Sequence, residues 1–218
     1  ERQAYIIQQI NIHNKVLSSD LSVQLNVSED TVRRDLQELD EEGKLTKVHG
    51  GALSKSFHFT IQNNNIYQHT EKKIIAQKAI SLIQDGMMVL LSGGTTIREL
   101  VKNLPENLNA TFITVSIPTA LELLNHPNSE VIFLGNKLIK SAQMSVGAEV
   151  VQKLSEIKAD LCFLGTNSID IENGITDLEW EIIEVKKAMI ACAQKTVSLA
   201  ISEKLNSTQR LQVCALDQ

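Results

Sequence analysis

Scarcity is the first information in this chain of 218 residues. It has only three cysteines, Cys162, Cys192 and Cys214, odd in number, far apart and set in apolar stretches. That argues against a disulfide framework and favours a reducing, cytoplasmic setting. No charged-then-apolar leader opens the sequence, so nothing points to secretion. No uncharged apolar run approaches the ~18 residues of a membrane span. The five histidines (His13, His49, His58, His69, His126) are scattered, and none stands at metal-ligand spacing from a cysteine, so no metal is expected. Aromatics are 4%, and the three prolines and ten glycines form no low-complexity tract. What is present is 43% hydrophobic residues with a net charge of −5, enough apolar content to exclude disorder and to predict a soluble, mildly acidic protein.

Two patterns divide the chain. Residues 54–70 (SKSFHFTIQNNNIYQHT) are polar, with an Asn triplet and no sustained period, and read as a linker whose Phe57, Phe59, Ile61 and Ile66 dock on a neighbour. Upstream, in residues 1–53, Tyr5, Ile6, Ile10 and Ile12 mark a first helix. Leu21 and Leu25, preceded by Ser18 and Ser19 as N-caps, mark a second. After the short turn Asn26-Val27-Ser28, Ser28 caps a third helix with Glu29 and Asp30 in its first turn, Val32, Leu36 and Leu39 as its apolar stripe, and Gly43 at its end. Lys44–Val48 alternates like a strand and His49–Ala52 supplies a turn. Three helices and a small hairpin make a winged helix-turn-helix.

Downstream, in residues 71–218, strands and helices alternate. Strands are predicted at Met87–Leu91, Thr111–Val115, Val131–Leu134, Leu161–Leu164, Val197–Ile201 and Leu211–Leu216. Helices are predicted at Thr95–Leu104, from Pro118 to Asn125, at Gly147–Ile157 and at Leu178–Gln194. Near-continuous apolar strands in such an order specify an α/β domain with a mostly parallel sheet covered on both faces.

With Val32 at the centre of the third helix's buried face, Arg34 lies about 200° and Gln37 about 140° away, both outward, with Thr31 and Arg33 flanking. Arginine can grip guanine and glutamine can pair with adenine in a major groove, and Lys44 and Lys47 in the hairpin can meet phosphates. The plainer alternative is that Arg33 and Arg34 pair with Glu29, Asp30 or Glu38 at helical spacing. Residues 1–53 hold six Lys/Arg against nine Asp/Glu, so the overall charge favours that alternative. Local placement weighs more, because charges are screened within about 8 Å in physiological salt.

In the second half, Ser92-Gly93-Gly94-Thr95-Thr96 sits between a strand and a helix start. Two glycines admit an anion close to the backbone, and two hydroxyls with a helix N-terminus supply donors. No P-loop lysine follows, which speaks against a nucleoside triphosphate. Three further loops converge on the same edge: Gly135-Asn136-Lys137, Gly165-Thr166-Asn167 and Ser202-Glu203-Lys204. Lys137 and Lys204 are candidates to neutralise a phosphate. Asn136, Thr166, Asn167 and Asp177 are candidates to bind hydroxyls, although ordinary loop chemistry would use the same residues.

Val27-Ser28-Glu29-Asp30-Thr31-Val32-Arg33-Arg34-Asp35-Leu36, then Gly43-Lys44-Leu45 and His49-Gly50-Gly51-Ala52, resembles the DNA-binding domain of the DeoR family of bacterial transcriptional regulators. The resemblance continues through Gly94-Thr95-Thr96, Phe163-Leu164-Gly165, Gly174-Ile175-Thr176, Glu184–Met189 and Lys204, so it covers nearly the whole chain. It implies a regulator, in the first instance a repressor, that binds double-stranded operator DNA as a dimer or larger homo-oligomer. It assigns Thr31, Arg33 and Arg34 as DNA contacts and places His49 and Gly50 near the DNA backbone. It further implies a sensor similar in fold to ribose-5-phosphate isomerases, taking a phosphorylated sugar or related metabolite as effector and no resident cofactor. Four positions depart from the family pattern: Ser92 stands for an Asp, Val115 for the Asn of Thr-Asn-Ser, Asn136 for the second Gly of Leu-Gly-Gly, and Ile201 for an Asp. Either the effector is less hydroxylated than a sugar phosphate or the site is weakened.

An isomerase on a related fold is the competing class. It needs a carboxylate base, for which Asp170, Asp177, Glu179 and Glu181 are candidates. Such an enzyme has no use for the first 53 residues, so no catalysis is expected.

Overall fold

The computed structural model describes residues 2–13, 15–54 and 69–216. Most of the expected linker 54–70, including Phe57, Phe59, Ile61 and Ile66, lies outside the described residues. The chain divides into two units, 1–67 and 68–218.

In the first unit, α1 (Arg2–His13), α2 (Ser18–Leu25) and α3 (Glu29–Glu41) surround a core of Ile6, Ile10, Leu21, Val32, Leu36, Leu39 and Leu45. α3 forms as its sequence dictates. Ser28 takes an extended backbone and its hydroxyl accepts from the Thr31 N–H at 3.2 Å, while Val32, Leu36 and Leu39 are fully buried. The cap of α2 differs from expectation. Leu17 is its N-cap and neither Ser18 nor Ser19 caps it with a side chain. Ser18 is instead buried, its N–H donating to the Gly50 carbonyl at 2.8 Å. The hairpin β2 (Leu45–Val48) and β3 (Gly51–Ser54) gains a third antiparallel strand that sequence reading did not foresee, β1 (Lys15–Leu17), paired with β3 from Lys15↔Leu53 to Leu17↔Gly51.

The second unit opens with α4 (His69–Ile80), so His69 and Thr70, expected in the linker, are helical. Five parallel strands follow in the spatial order β12-β9-β4-β5-β6: β4 (Met88–Leu91), β5 (Thr111–Thr114), β6 (Glu130–Phe133), β9 (Ala159–Gly165) and β12 (Ala193–Leu199). Side chains alternate across the sheet. Val89, Leu91, Phe112, Leu161 and Phe163 pack with α4, α5 (Thr95–Lys102) and α6 (Ile117–Leu123). Leu90, Ile113, Cys162 and Leu164 pack with α7 (Ala148–Ser155) and α8 (Trp180–Ala191). Both faces are covered, which is why the central strands are continuously apolar.

The hairpin β7 (Lys137–Ile139) and β8 (Met144–Val146) and the strands β10 (Ser168–Asp170) and β11 (Gly174–Asp177) were not foreseen, whereas the strand expected at Leu211–Leu216 is β13 (Leu211–Cys214), which pairs antiparallel with β11 in a small separate sheet. The helix expected to reach Gln194 ends at Ala191, and the strand expected at Val197–Ile201 runs from Ala193 to Leu199. β12 is an edge strand, half exposed, so its Gln-Lys-Thr opening lacks the apolar alternation that marks a strand.

Candidate functional site

On α3 the two adjacent arginines differ. Arg33 donates to Asp30 at 3.1 Å and to Glu29 at 3.3 Å, so the expected ion-pair alternative holds for this residue. Arg34 is exposed and, among the described residues, makes no hydrogen bond or ion pair. Gln37 is also exposed. Its carbonyl accepts from Lys47 Nζ at 2.8 Å and its amide donates to Glu41 at 2.7 Å, so the hairpin and α3 meet through this pair. Thr31 is half-buried with its hydroxyl 2.9 Å from that of Ser28. Lys44 pairs with Glu42 at 2.6 Å, and His49 and Gly50 stand at the hairpin tip. Thr31, Arg34, Gln37 and Lys47 thus share one surface, while Arg33 and Lys44 carry their own carboxylates. Sequence reading missed the Arg2 fork on Asp35, Nε to Oδ2 at 2.5 Å and Nη2 to Oδ1 at 2.8 Å, across 33 residues of separation.

In the second unit, β4 is the strand from which the chain turns one way to β5 and β6 and the other way to β9 and β12. The crevice at such a reversal, beyond the carboxyl ends of the strands, is where open α/β sheets bind ligands. Here the loop after β4 and the loop after β9 interlock. The Gly165 N–H donates to Ser92 Oγ at 2.7 Å, and a Cβ on Gly165 would stand 2.2 Å from the Gly93 carbonyl oxygen, so only glycine fits. Gly94 starts α5 at φ +118°, a backbone that side chains disfavour, and the helix has no side-chain cap. The amides of Thr95 and Thr96 in that first turn form the positive end of the helix. Ser92 is fully buried and acts as a brace rather than a ligand group, accepting from Gly165 and donating to the Gly93 carbonyl at 3.3 Å.

The surrounding loops are only partly gathered. The Thr166 hydroxyl meets that of Ser198, and Lys204 Nζ donates to the Thr166 carbonyl at 2.6 Å, so Lys204 reaches the loop that leaves the Gly93–Gly165 junction. Asn167 donates to Asp177 Oδ1 at 2.8 Å. Asp177 Oδ2 accepts from Lys186 at 2.7 Å, and Lys186 also donates to the Gly165 carbonyl at 3.0 Å. Burial raises the Asp177 carboxyl, but the Lys186 charge and the hydrogen bonds from Lys186, the Leu178 N–H and Asn167 outweigh it and hold the group below its ordinary range. Asp177 is therefore a buried anion with its charge already paired. Lys186, which sequence reading passed over within a Lys-Lys pair on a helix, is its buried counter-ion. Lys137 pairs with Glu181 at 2.8 Å, and Asn136 is exposed, its Oδ1 accepting from the Lys137 N–H at 2.6 Å. These two do not join the Ser92–Thr96 loop through any described contact.

Three of the carboxylates considered for catalysis, Asp170, Asp177 and Glu181, have partners. Asp170 accepts from the Glu172 and Asn173 amides at 3.0 Å within a turn, which lowers it. Glu179 is the exposed N-cap residue of α8, and Glu181 holds Lys137. Asp170 and Asp177, both held below the ordinary carboxylate range, are not bases poised near neutrality. Among the described residues no cluster suits a metal ion, and no described helix is long and apolar enough to cross a membrane.

Comparison with known proteins agrees with this division. The DeoR-like helix-turn-helix domain matches residues 2–57 and the DeoR C terminal sensor domain matches residues 67–218. The HTH-type transcriptional repressor GlcR of Bacillus subtilis is 35% identical over 221 residues, covering 100% of this chain and 85% of that protein. The lactose phosphotransferase system repressor of Staphylococcus epidermidis is 33% identical over 175 residues, covering 78% of this chain and 69% of that protein. A solved ribose 5-phosphate isomerase from Methanocaldococcus jannaschii aligns with 64% of this chain and 55% of its own, with a TM-score of 0.48 and 18% identity. A capped recognition helix with a strand-braced wing, followed by a doubly covered parallel sheet with a glycine junction at its switch point, is accordingly the architecture of a transcriptional regulator, and the chain belongs to the DeoR family.

Proposed function

We propose that this regulator represses genes of sugar metabolism by placing α3 in the major groove of operator DNA as a homo-oligomer, and that a phosphorylated sugar at the sensor unit releases it. Residues 1–53 are the DNA-reading part, 54–70 a linker and 71–218 the sensor. Arg34 and Gln37 read base edges, with Thr31 and Arg33 beside them; Lys47, Lys44 and the His49–Gly50 tip meet phosphates. Gly93, Gly94, Thr95 and Thr96 bind the effector phosphate with help from Lys204, while Thr166 and Asn167 border its hydroxyl end. Ser92 and Asp177 contribute by bracing these loops. Asn136 and Lys137 join them only if the Lys137–Glu181 pair opens. No resident cofactor is required.

The observation that carries the DNA assignment is Arg34, exposed and unpaired among the described residues, on the face of α3 opposite Val32, Leu36 and Leu39. The effector assignment rests on the uncapped start of α5 at the switch point, and the sugar class on the name of the staphylococcal relative. Two steps test the reading with the full chain. A randomised duplex pool is presented to it, and enrichment of a common sequence is expected. Sugar phosphates are then added to the complex, and release by one of them is expected. No enrichment refutes the DNA assignment; enrichment without release by any sugar phosphate refutes the effector class. For release to be effective the ligand must favour one state, and a hundredfold preference supplies about 2.7 kcal/mol.

A further inference from the structure

Two arginines follow one another on α3, yet among the described residues one is paired and the other is not. A helical arginine reaches carboxylates three or four residues away. For Arg34 these include Asp30 on one side and Glu38 on the other, while the neighbouring Asp35 lines the same open depression, together with Arg2, Gln3 and Thr31. All three carboxylates are engaged elsewhere. Asp30 accepts from Arg33 at 3.1 Å. Glu38 accepts from the Gln3 amide at 2.7 Å. Asp35, its side chain only 6% exposed, is gripped at both oxygens by Arg2. A carboxylate so buried cannot remain without a counter-charge. With Arg2 absent, the cation sharing its depression is Arg34.

We infer that Arg2 and Gln3, in the first turn of α1, are positioning residues that keep Arg34 free for base contact by holding Asp35 and Glu38 away from it. The inference rests on the DNA-reading role proposed above. The Arg2 guanidinium saturates Asp35 at both oxygens and so leaves Arg34 without that partner. The specificity of the surface is thereby set from a helix that need not itself touch a base.

The test uses the full chain and a duplex that it enriches from a randomised pool. The R2A/Q3A variant is expected to bind that duplex about tenfold more weakly, within the range of one lost bidentate base contact. In an R34A background the same pair of changes is expected to alter affinity by less than about twofold, since coupled residues are non-additive. Adding D35N and E38Q to R2A/Q3A removes the competing charges without restoring the α1 contacts, and is expected to return affinity to within about twofold of the original. A loss that is equal with and without Arg34, or that D35N and E38Q do not repair, overturns the inference while leaving the DNA-reading role standing. A chain that enriches no duplex defeats that role and the inference with it. Should R2A/Q3A not fold, NMR of the unmodified chain decides. Fast motion of the Arg34 Nε–H beside an ordered Arg2 Nε–H supports the inference, and an equally ordered Arg34 refutes it.

Discussion

Lys186 projects from α8 to within 2.7 Å of the Asp177 carboxylate, with side-chain exposures of 6% and 2%, and the same ammonium holds the Gly165 carbonyl at 3.0 Å. One buried cation thereby joins α8, the end of β11 and the loop at the switch point. Replacing Lys186 by Ala orphans a buried carboxylate and is expected to cost about 3–5 kcal/mol of stability. Replacing both partners by apolar side chains, Lys186→Met together with Asp177→Leu, is expected to recover most of it. Urea unfolding of the two variants checks the order; equal losses in both would refute the assignment.

The same pair sets a pH dependence. The folded Asp177 carboxyl lies below its ordinary range, so the unfolded chain binds its proton first as pH falls. The stabilisation is complete above the ordinary carboxylate range, near pH ~4, and disappears as pH drops through the folded value. Asp177→Asn is expected to flatten this segment of the stability profile. An unchanged acid limb in that variant would show that other carboxylates control it.

Glycine at the switch point permits a close approach that no side chain tolerates. Gly165→Ala places a Cβ 2.2 Å from the Gly93 carbonyl, whereas Gly93→Ala meets the Met144 sulfur at 3.0 Å. A thioether can rotate away and a backbone carbonyl in an interlocked loop cannot, so the first change is expected to destabilise the protein by about 1–3 kcal/mol more than the second. Thermal unfolding of the two variants ranks them.

Arg34→Ala is expected to weaken binding to an enriched duplex by about 1–3 kcal/mol and to relax preference at one base pair. Arg33→Ala is expected to cost less, because Arg33 already spends its charge on Glu29 and Asp30. Competition binding against single-base variants of the duplex separates the two; an equal cost would contradict the contrast between them.

Thr95→Val with Lys204→Ala is expected to leave duplex binding unchanged and to abolish release by a sugar phosphate. Both are read in one titration of the preformed complex. Loss of duplex binding by a folded variant would argue against separate reading and sensing units.

How legible these features were depends on the range of the forces behind them. α3 could be read because Ser28, the first-turn acids and the stripe of Val32, Leu36 and Leu39 each act within about a turn of the next. α4 escaped notice because its buried face uses small residues, Ala76 and Ala79, and includes Lys72, so it lacks a conspicuous apolar stripe. β12 escaped in part because an edge strand tolerates polar residues. At the site, the glycine junction was visible as Gly93-Gly94 and Gly165, but not which side chains it would spare for a ligand. Ser92 and Asp177 stand in the sequence as polar residues whose partners, Gly165 and Lys186, only the fold supplies. Gly165 lies 73 residues from Ser92, and the Arg2–Asp35 fork spans 33. Pairings at such separations are set by packing, which local pattern does not encode.

The short strand β1 has a mechanical consequence. It follows α1 almost directly, leads straight into α2, and pairs along all three of its residues with β3. The hairpin is therefore hinged at neither end: displacing its tip would strip a ladder that is continuous with the helical core. If operator DNA meets both α3 and the tip, as proposed above, it encounters a gauge of fixed span, and a mismatch is then taken up by twisting or narrowing of the duplex.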